Sequence, residues 1–257
     1  MNRFFPRFVF IICCLLSSLS TLASDTDKPV LRLWSYYDSP PFVTSENSNT
    51  GLIKDLVDYL NTKLGDKYRF QVEYLPRYQL NYLFEKGDKG IVLLAPSIIF
   101  GGLDSGHYLW SDAILHDEQK ILSRQDKQFE YQGPLSLKGI RFAGVRGHSY
   151  PAIDAQIASG DIQCFRAADE TLLFNALFAE RGIDVITLAD SSARYLIKLH
   201  PETRAKMYYS RLGLGEFTRH LLFQAGMQQE RDLFNQVIQG MNQDPVWQAI
   251  LAKYGLD

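Results

Sequence analysis

VLRLWSYYDSPPFVTSENSNTGLIKDLVDYLNTKL, residues Val30 to Leu64, is the stretch from which the fold can be read. Val30 to Tyr36 is a short, mostly apolar run with an aromatic end, the pattern of a strand covered on both faces. Ser39, Pro40 and Pro41 stop it, because proline removes a ladder donor and pushes the residue before it out of the helical region. Beyond Gly51, residues Leu52, Ile53, Leu56, Val57, Leu60 and Leu64 recur with Lys54, Asp55, Asp58 and Lys63 between them, one apolar stripe at helical period. The unit is strand, exposed loop, helix. Open α/β sheets hold ligands at the C-terminal ends of such strands, so the loop carrying Tyr36, Tyr37, Pro40, Pro41 and Phe42 is the expected edge of a binding cleft.

Upstream of this unit, Arg3 and Arg7, an apolar run from Phe8 to Leu16 and a small-residue stretch ending at Ala23 have the three-part layout of a secretory signal peptide. Cleavage is expected after Ala23, so residues 1–23 would be removed. A membrane anchor needs about 20 apolar residues, and Ser17, Ser18, Ser20 and Thr21 interrupt this run too early. Ile12 precedes Cys13 where a lipoprotein signal carries a small residue, so the expectation is ordinary export to the periplasm.

Without residues 1–23 the chain keeps 234 residues, and loss of Arg3 and Arg7 moves its formal charge from −2 to −4. That length suits one large or two small α/β lobes with cores of their own. Mild acidity without a basic block argues against a nucleic-acid partner. Cys13 and Cys14 leave with the signal, and Cys164 alone can form neither an internal disulfide nor a cysteine metal cluster. In the strand-like QCF it reads as a small buried hydrophobe. His107, His116, His200 and His220 are scattered without metal-ligand spacing, so neither metal nor cofactor is expected.

Downstream, Arg69 to Leu75 alternates as a strand, Leu80 to Phe84 is a short helical stripe ended by Gly87, and Ile91 to Ala95 is a second buried strand ending in Pro96 and Ser97. Trp110, Ser111 and Asp112 then lead an extended segment away from this first lobe. A second cycle follows: a strand at Gly139 to Val145, a turn at Arg146 to Ser149, a helix from Pro151, a helix capped by Asp169 and ended by Gly182, a strand at Ile183 to Leu188, and a helix from Asp190 to about Leu199. After Met207 to Leu214 come a strand at His220 to Gln224 and two helices. The last has Asp244 as cap, Pro245 at its first position and Gly255 as its stop.

The order of these elements resembles family 3 of the extracytoplasmic solute-binding proteins, the group that includes polar amino-acid receptors of ABC importers. The resemblance spans the mature chain. It rests on Pro40 to Phe42 followed by Gly51 and a helix with Asp55, on WSD at Trp110 to Asp112, on LKGIRFAGVRGHS at Leu137 to Ser149, on GIDVITLAD at Gly182 to Asp190, and on KYG at Lys253 to Gly255. It implies a two-lobed α/β fold of the type II periplasmic-binding-protein kind with two hinge crossovers, here near Leu115 to Ser123 and Met207 to Leu214. Lobe one would comprise residues 24–118 and 213–257, and lobe two residues 119–212. The implied role is binding, not catalysis: a small polar or aromatic solute is held between the lobes of a monomer and passed to an ABC permease. A ligand-binding sensor that presents the solute to a membrane receptor is the alternative.

The expected ligand contacts are Tyr36, Tyr37, Phe42, Ser97, Trp110, Arg146, His148, Ser149 and Asp190. The aromatics would stack on a solute, and Ser97 stands where the family has a ligand-bonding serine. Arg146 to Ser149 form a strand-to-helix turn with backbone donors for an anion. Asp190 aligns with the family's amine-binding aspartate and is equally suited to cap a helix. One departure bears on the ligand. Amino-acid receptors of the family carry a carboxylate-gripping arginine six residues before the aromatic of the WSD position, and here that residue is Asp104. Unless Arg77 or Arg146 takes its place, the pocket should favour a solute that is neutral or cationic on that side. A third reading takes Gly147, His148, Ser149 as a near nucleophile elbow with Ser149 attacking an ester, but Pro151 stands where that motif needs glycine.

Overall fold

The computed structural model describes residues 28–45, 49–104, 106–179 and 182–257, so the expected signal peptide lies outside the described residues. Strand β1 (Val30–Ser35) lies between β2 (Arg69–Tyr74) and β3 (Ile91–Pro96), parallel to both. Helices α1 (Leu52–Leu64) and α2 (Arg77–Glu85) make the crossovers. The second half repeats this wiring. Strand β6 (Phe142–Val145) lies between β7 (Cys164–Ala167) and β8 (Val185–Ala189), parallel to both, with α3 (Asp154–Ala158) and α4 (Glu170–Phe178) as crossovers.

Two long strands join the halves. β5 (Leu115–Arg124) and β10 (Gly215–Phe223) pair antiparallel, giving the sheet order β2-β1-β3-β10-β5-β8-β6-β7. The short strands β4 (Leu109–Trp110) and β9 (Met207–Tyr209) add to β10 and β5. Helix α5 (Asp190–Leu199) follows β8, and α6 (Gln228–Met241) and α7 (Pro245–Tyr254) close the chain on the first half.

Successive strand residues point to opposite faces, and both faces are covered. In the first half Leu33 and Leu93 join one core with Leu56, Phe234 and Trp247, whereas Trp34 and Val92 join another with Leu80 and Phe84. In the second half Leu122 and Ile186 pack with Phe174 and Leu196, whereas Ile121 and Val185 pack with Phe142 and Tyr150. This is why the strands read as continuous apolar runs. The α1 stripe is buried as its spacing requires, and α7 locks against it: the Asp244 cap accepts from Val246 N at 2.9 Å and also from Tyr59 Oη at 3.0 Å and Lys63 Nζ at 2.8 Å. Gly255 closes that helix at φ 71°, a left-handed turn that glycine adopts without penalty.

Several boundaries differ from the sequence reading, among them β6, which begins at Phe142 instead of Gly139, and β8, which spans Val185–Ala189 instead of Ile183 to Leu188. The helix expected from Pro151 starts at Asp154, whose carboxylate accepts from Tyr150 N at 2.9 Å and holds the intervening residues in a turn. The helix capped by Asp169 ends at Phe178, short of Gly182. The second crossover is displaced: Met207 to Tyr209 pairs with β5 inside the second half, and the chain returns on β10, which begins at Gly215 instead of His220 because residues 215–219 pair with β5. No helix among the described residues is long and apolar enough to cross a membrane.

Candidate binding cleft

The loops that follow β1 and β6 lie close enough across the junction of the halves for a charge on one to act on the other. The loop after β1 carries Asp38 and the loop after β6 carries His148, and the Asp38 charge acts on both His148 and Glu170 at the start of α4.

On the β1 side the aromatics stack on one another. Arg77 lies 4.0 Å over Phe100 and 5.0 Å over Tyr36; Tyr36 stacks on Tyr37 at 4.7 Å, Tyr37 on Phe42 at 4.0 Å, and Arg219 closes the series 4.5 Å over Phe42. Each arginine sits on the negative face of a ring. Arg77 is therefore committed to this stack and to Asn81, its Nε donating at 2.9 Å.

The arginine buried at the junction of the halves is Arg219, a residue that sequence reasoning passed over. In the β5–β10 register Phe217 pairs with Asp117, which places Arg219 diagonal to Asp117 on the same face. Arg219 is 4% exposed. Its Nε and Nη2 converge on Asp117 Oδ2 at 2.8 and 2.7 Å, and its Nη1 donates to Tyr37 Oη at 2.6 Å. Asp117 further accepts from Ser191 Oγ at 2.7 Å, Ser191 N at 3.1 Å and Glu118 N at 2.9 Å. Tyr37 Oη in turn donates to the Leu94 carbonyl at 2.6 Å. This chain of bonds runs from α5 through both crossover strands to β3.

Leu94 has φ 52°, a left-handed conformation that leucine seldom adopts. The cause is a bulge: from Val92 to Ala95 β3 takes three steps while its partners on β10, Leu222 and His220, are two apart. The bulge turns the Leu94 carbonyl toward Tyr37.

The second wall is more polar. Glu170 is 8% exposed, and its carboxyl accepts from Ser192 Oγ at 2.7 Å. Burial pushes its pKa up to about 7; Ser192 and Arg219 pull it down, and Asp117 and Asp38 push it further up. His148 has a solvent-open surface, yet the protein packed around it lowers its pKa by desolvation, opposed by Asp38 and reinforced by Arg219 and Arg166. Arg166 Nη1 donates to the carbonyls of Val145 and His148 at 3.1 and 3.2 Å.

The remaining expected contacts are dispersed. Asp190 is half-buried in the first turn of α5, its pKa raised by burial and lowered by Lys120 and Arg194. Ser97 is buried, with its Oγ 3.5 Å from Thr218 Oγ1. Trp110 is buried in the core with Trp34 and Phe84, and its ring meets His220 edge-on at 5.6 Å. Arg146 is exposed, and three backbone donors in and around its turn are already bonded: Arg146 N donates to Ala167 O, His148 N to Val145 O and Tyr150 N to Asp154. Asp104 is exposed on a turn. Neither Arg77 nor Arg146 is buried at the junction of the halves. The elbow reading lacks its base: Ser149 Oγ donates to Asp154 at 2.5 Å, while His220 is bonded to Ser111 and Thr218 and His200 packs on Phe174. Among the described residues no group of His, Cys, Asp and Glu could hold a metal ion.

Arg219 and Asp117 were legible only as charges among the polar residues of LHDEQKIL and EFTRHLLF, with nothing local to set them apart. Glu170 carried no signal beyond following a cap.

No protein-family model matches the chain, and no curated protein matches it in sequence. Solved structures do match. A mutant of ArgBP from T. maritima is 18% identical with a TM-score of 0.66, covering 88% of this chain and 94% of that one. The GluR0 ligand-binding core from Nostoc punctiforme, in complex with (L)-glutamate, is 16% identical with a TM-score of 0.66, covering 89% of this chain and all 100% of that one. The ancestral amino acid-binding protein AncCDT-1, a precursor of cyclohexadienyl dehydratase, is 18% identical with a TM-score of 0.63, covering 88% and 95%. At these identities the likeness shows the fold: a two-lobed α/β structure of the type II periplasmic-binding-protein kind.

Proposed function

We propose that this chain is an exported solute-binding protein that holds a small molecule in the cleft between its lobes. The observation that supports this reading is the buried Arg219–Asp117 pair on the crossover strands, electrostatically coupled to Glu170 on α4 and to Asp38 in the loop after β1, near the strand ends where open α/β sheets take their ligands. The aromatic stack and the polar second wall suit a polar or aromatic solute with a charged group. ArgBP, GluR0 and AncCDT-1, which share the fold, carry ligand-binding names or a bound amino acid. In this reading lobe one is residues 24–118 and 213–257 and lobe two is 119–212, with β5 and β10 as the hinge. The chain is a monomer, cut after Ala23 in the periplasm, and it delivers its solute to an ABC permease. It is a carrier, not a catalyst, and a fluorophosphonate that labelled Ser149 would contradict that.

Sensing without transport is the second reading, favoured by the likeness to the GluR0 ligand-binding core. A permease and ATPase encoded beside this chain would support import, and a kinase or cyclase there would support sensing. The binding claim itself is tested by a thermal-shift panel of amines, amino acids, dicarboxylates and sugars, because a ligand of the native state raises the melting temperature by mass action. At least one solute should raise it at millimolar concentration, and Tyr37→Ala should abolish the shift. A flat response to the whole panel would contradict a solute cleft.

A further inference from the structure

The charged groups of the cleft differ in what they leave to a solute. Arg219, the buried cation at the junction of the halves, has Nε and Nη2 on Asp117 and Nη1 on Tyr37. A carboxylate on a solute can pair with Arg219 only by displacing Asp117, a charge already held in place by Ser191 N, Ser191 Oγ and Glu118 N. The exchange gives up one buried ion pair to make another, with no net pairing gained and with two carboxylates left side by side. Glu170 is in the opposite position. It is buried, its hydrogen-bond partner is the Ser192 hydroxyl, and no cation among the described residues forms an ion pair with it. The charged groups acting on it are Arg219, which is already engaged, and the carboxylates of Asp117 and Asp38.

We infer that Asp117 is an internal stand-in for a ligand carboxylate on Arg219, and that the cleft selects an organic cation without a carboxylate, an amine or guanidinium, with Glu170 as its counter-ion. The inference rests on the reading of the cleft as a solute site and narrows it to a chemical class. A cation entering beside Glu170 supplies the pairing that this carboxyl lacks, whereas a zwitterionic amino acid brings the same cation together with an acid that finds its arginine filled. Arg166 does not relieve this, because its Nη1 is held by the carbonyls of Val145 and His148 and it forms no ion pair with Glu170 among the described residues. Burial and the neighbouring acids keep the Glu170 carboxyl partly protonated near neutral pH, so cation binding releases a proton and strengthens as pH rises through about 7.

Isothermal titration of the purified protein with agmatine and with L-arginine, which differ only in the α-carboxylate, tests this directly. Agmatine should bind at least tenfold more tightly. Asp117→Asn, which keeps the shape but frees Arg219, should cut that preference at least tenfold, and Glu170→Gln should weaken agmatine at least tenfold. The wild-type comparison stands even if a variant does not fold. Arginine binding as tightly as agmatine, or an unchanged preference in folded Asp117→Asn, would overturn the inference. So would failure of both probes at millimolar concentration. In that case a thermal shift by a neutral or anionic solute would leave the cleft reading standing, and no shift by any solute would remove both.

Discussion

The two walls of the cleft are built from similar residue types and use them differently. On the β1 side Tyr36, Tyr37, Phe42, Phe100 and both arginines satisfy one another, ring on ring and guanidinium on ring, with Tyr37 bonded at both ends of its hydroxyl. On the β6 and α4 side Glu170 and His148 sit where burial or crowding shifts their titration, and no ion pair among the described residues balances Glu170. The first wall is a preorganised surface and the second holds unmet electrostatic demand. In a binding cleft, the ordered wall fixes shape and the unsatisfied wall sets which charge is admitted.

The contrast makes the largest effect that of breaking the Arg219–Asp117 bond at the junction of the halves. Asp117→Ala leaves Arg219 buried without its counter-charge, and removal of one partner of a buried pair costs about 3–5 kcal/mol. Urea unfolding should show a loss of that size with the slope unchanged; a loss below about 1 kcal/mol would mean the pair is already hydrated.

Next is the unbalanced wall alone. The fold raises the Glu170 pKa from its ordinary 4.5 to about 7, so its contribution to stability is fully present below the unfolded pKa and is lost as pH rises through about 7. Glu170→Gln cannot ionise. It should be more stable than the wild type at pH 8 by on the order of 3 kcal/mol and equal to it below pH 4.5. The same gain at both pH values would show that packing, not charge, is responsible.

Smaller effects are expected on the ordered wall. Tyr37→Phe keeps the ring stack but removes the bonds to Arg219 and Leu94, at about 1–2 kcal/mol, and should raise amide exchange around Leu94, whose left-handed backbone that hydroxyl supports. Agmatine binding should weaken by roughly eightfold from pH 7.5 to pH 6 as Glu170 takes up its proton. Arg77→Ala, at the outer end of the stack, should cost about 0.5–1 kcal/mol in stability without altering that pH profile.

The parts of this account legible in the sequence are those set by local periodicity and punctuation. The β1 unit, the α1 stripe and the Asp244 cap depend on residues within a few positions of each other, and each took the form its spacing required. The Arg219–Asp117 pair joins residues 102 apart in sequence, and it exists only because the β10 register places them diagonally across two crossover strands. Nothing local marks that register. The ring orientations were hidden for a similar reason: Tyr36, Tyr37 and Phe42 are close in sequence, but only the turn through Pro40 and Pro41 decides whether they face a solute or each other. Asp104, which the resemblance marked as standing in place of an arginine, lies exposed on a turn, and the expectation drawn from it, a solute neutral or cationic on that side, awaits the titrations above.

The central claim is that two lobes close on a solute across this cleft, and small-angle X-ray scattering tests it most directly. With the tightest-binding solute of the thermal-shift panel at saturation, the radius of gyration should fall by a small but measurable amount relative to the free protein, as connecting residues in β5 and β10 absorb the rotation. An unchanged profile at saturation would contradict closure and describe a rigid α/β body with a ligand on its surface.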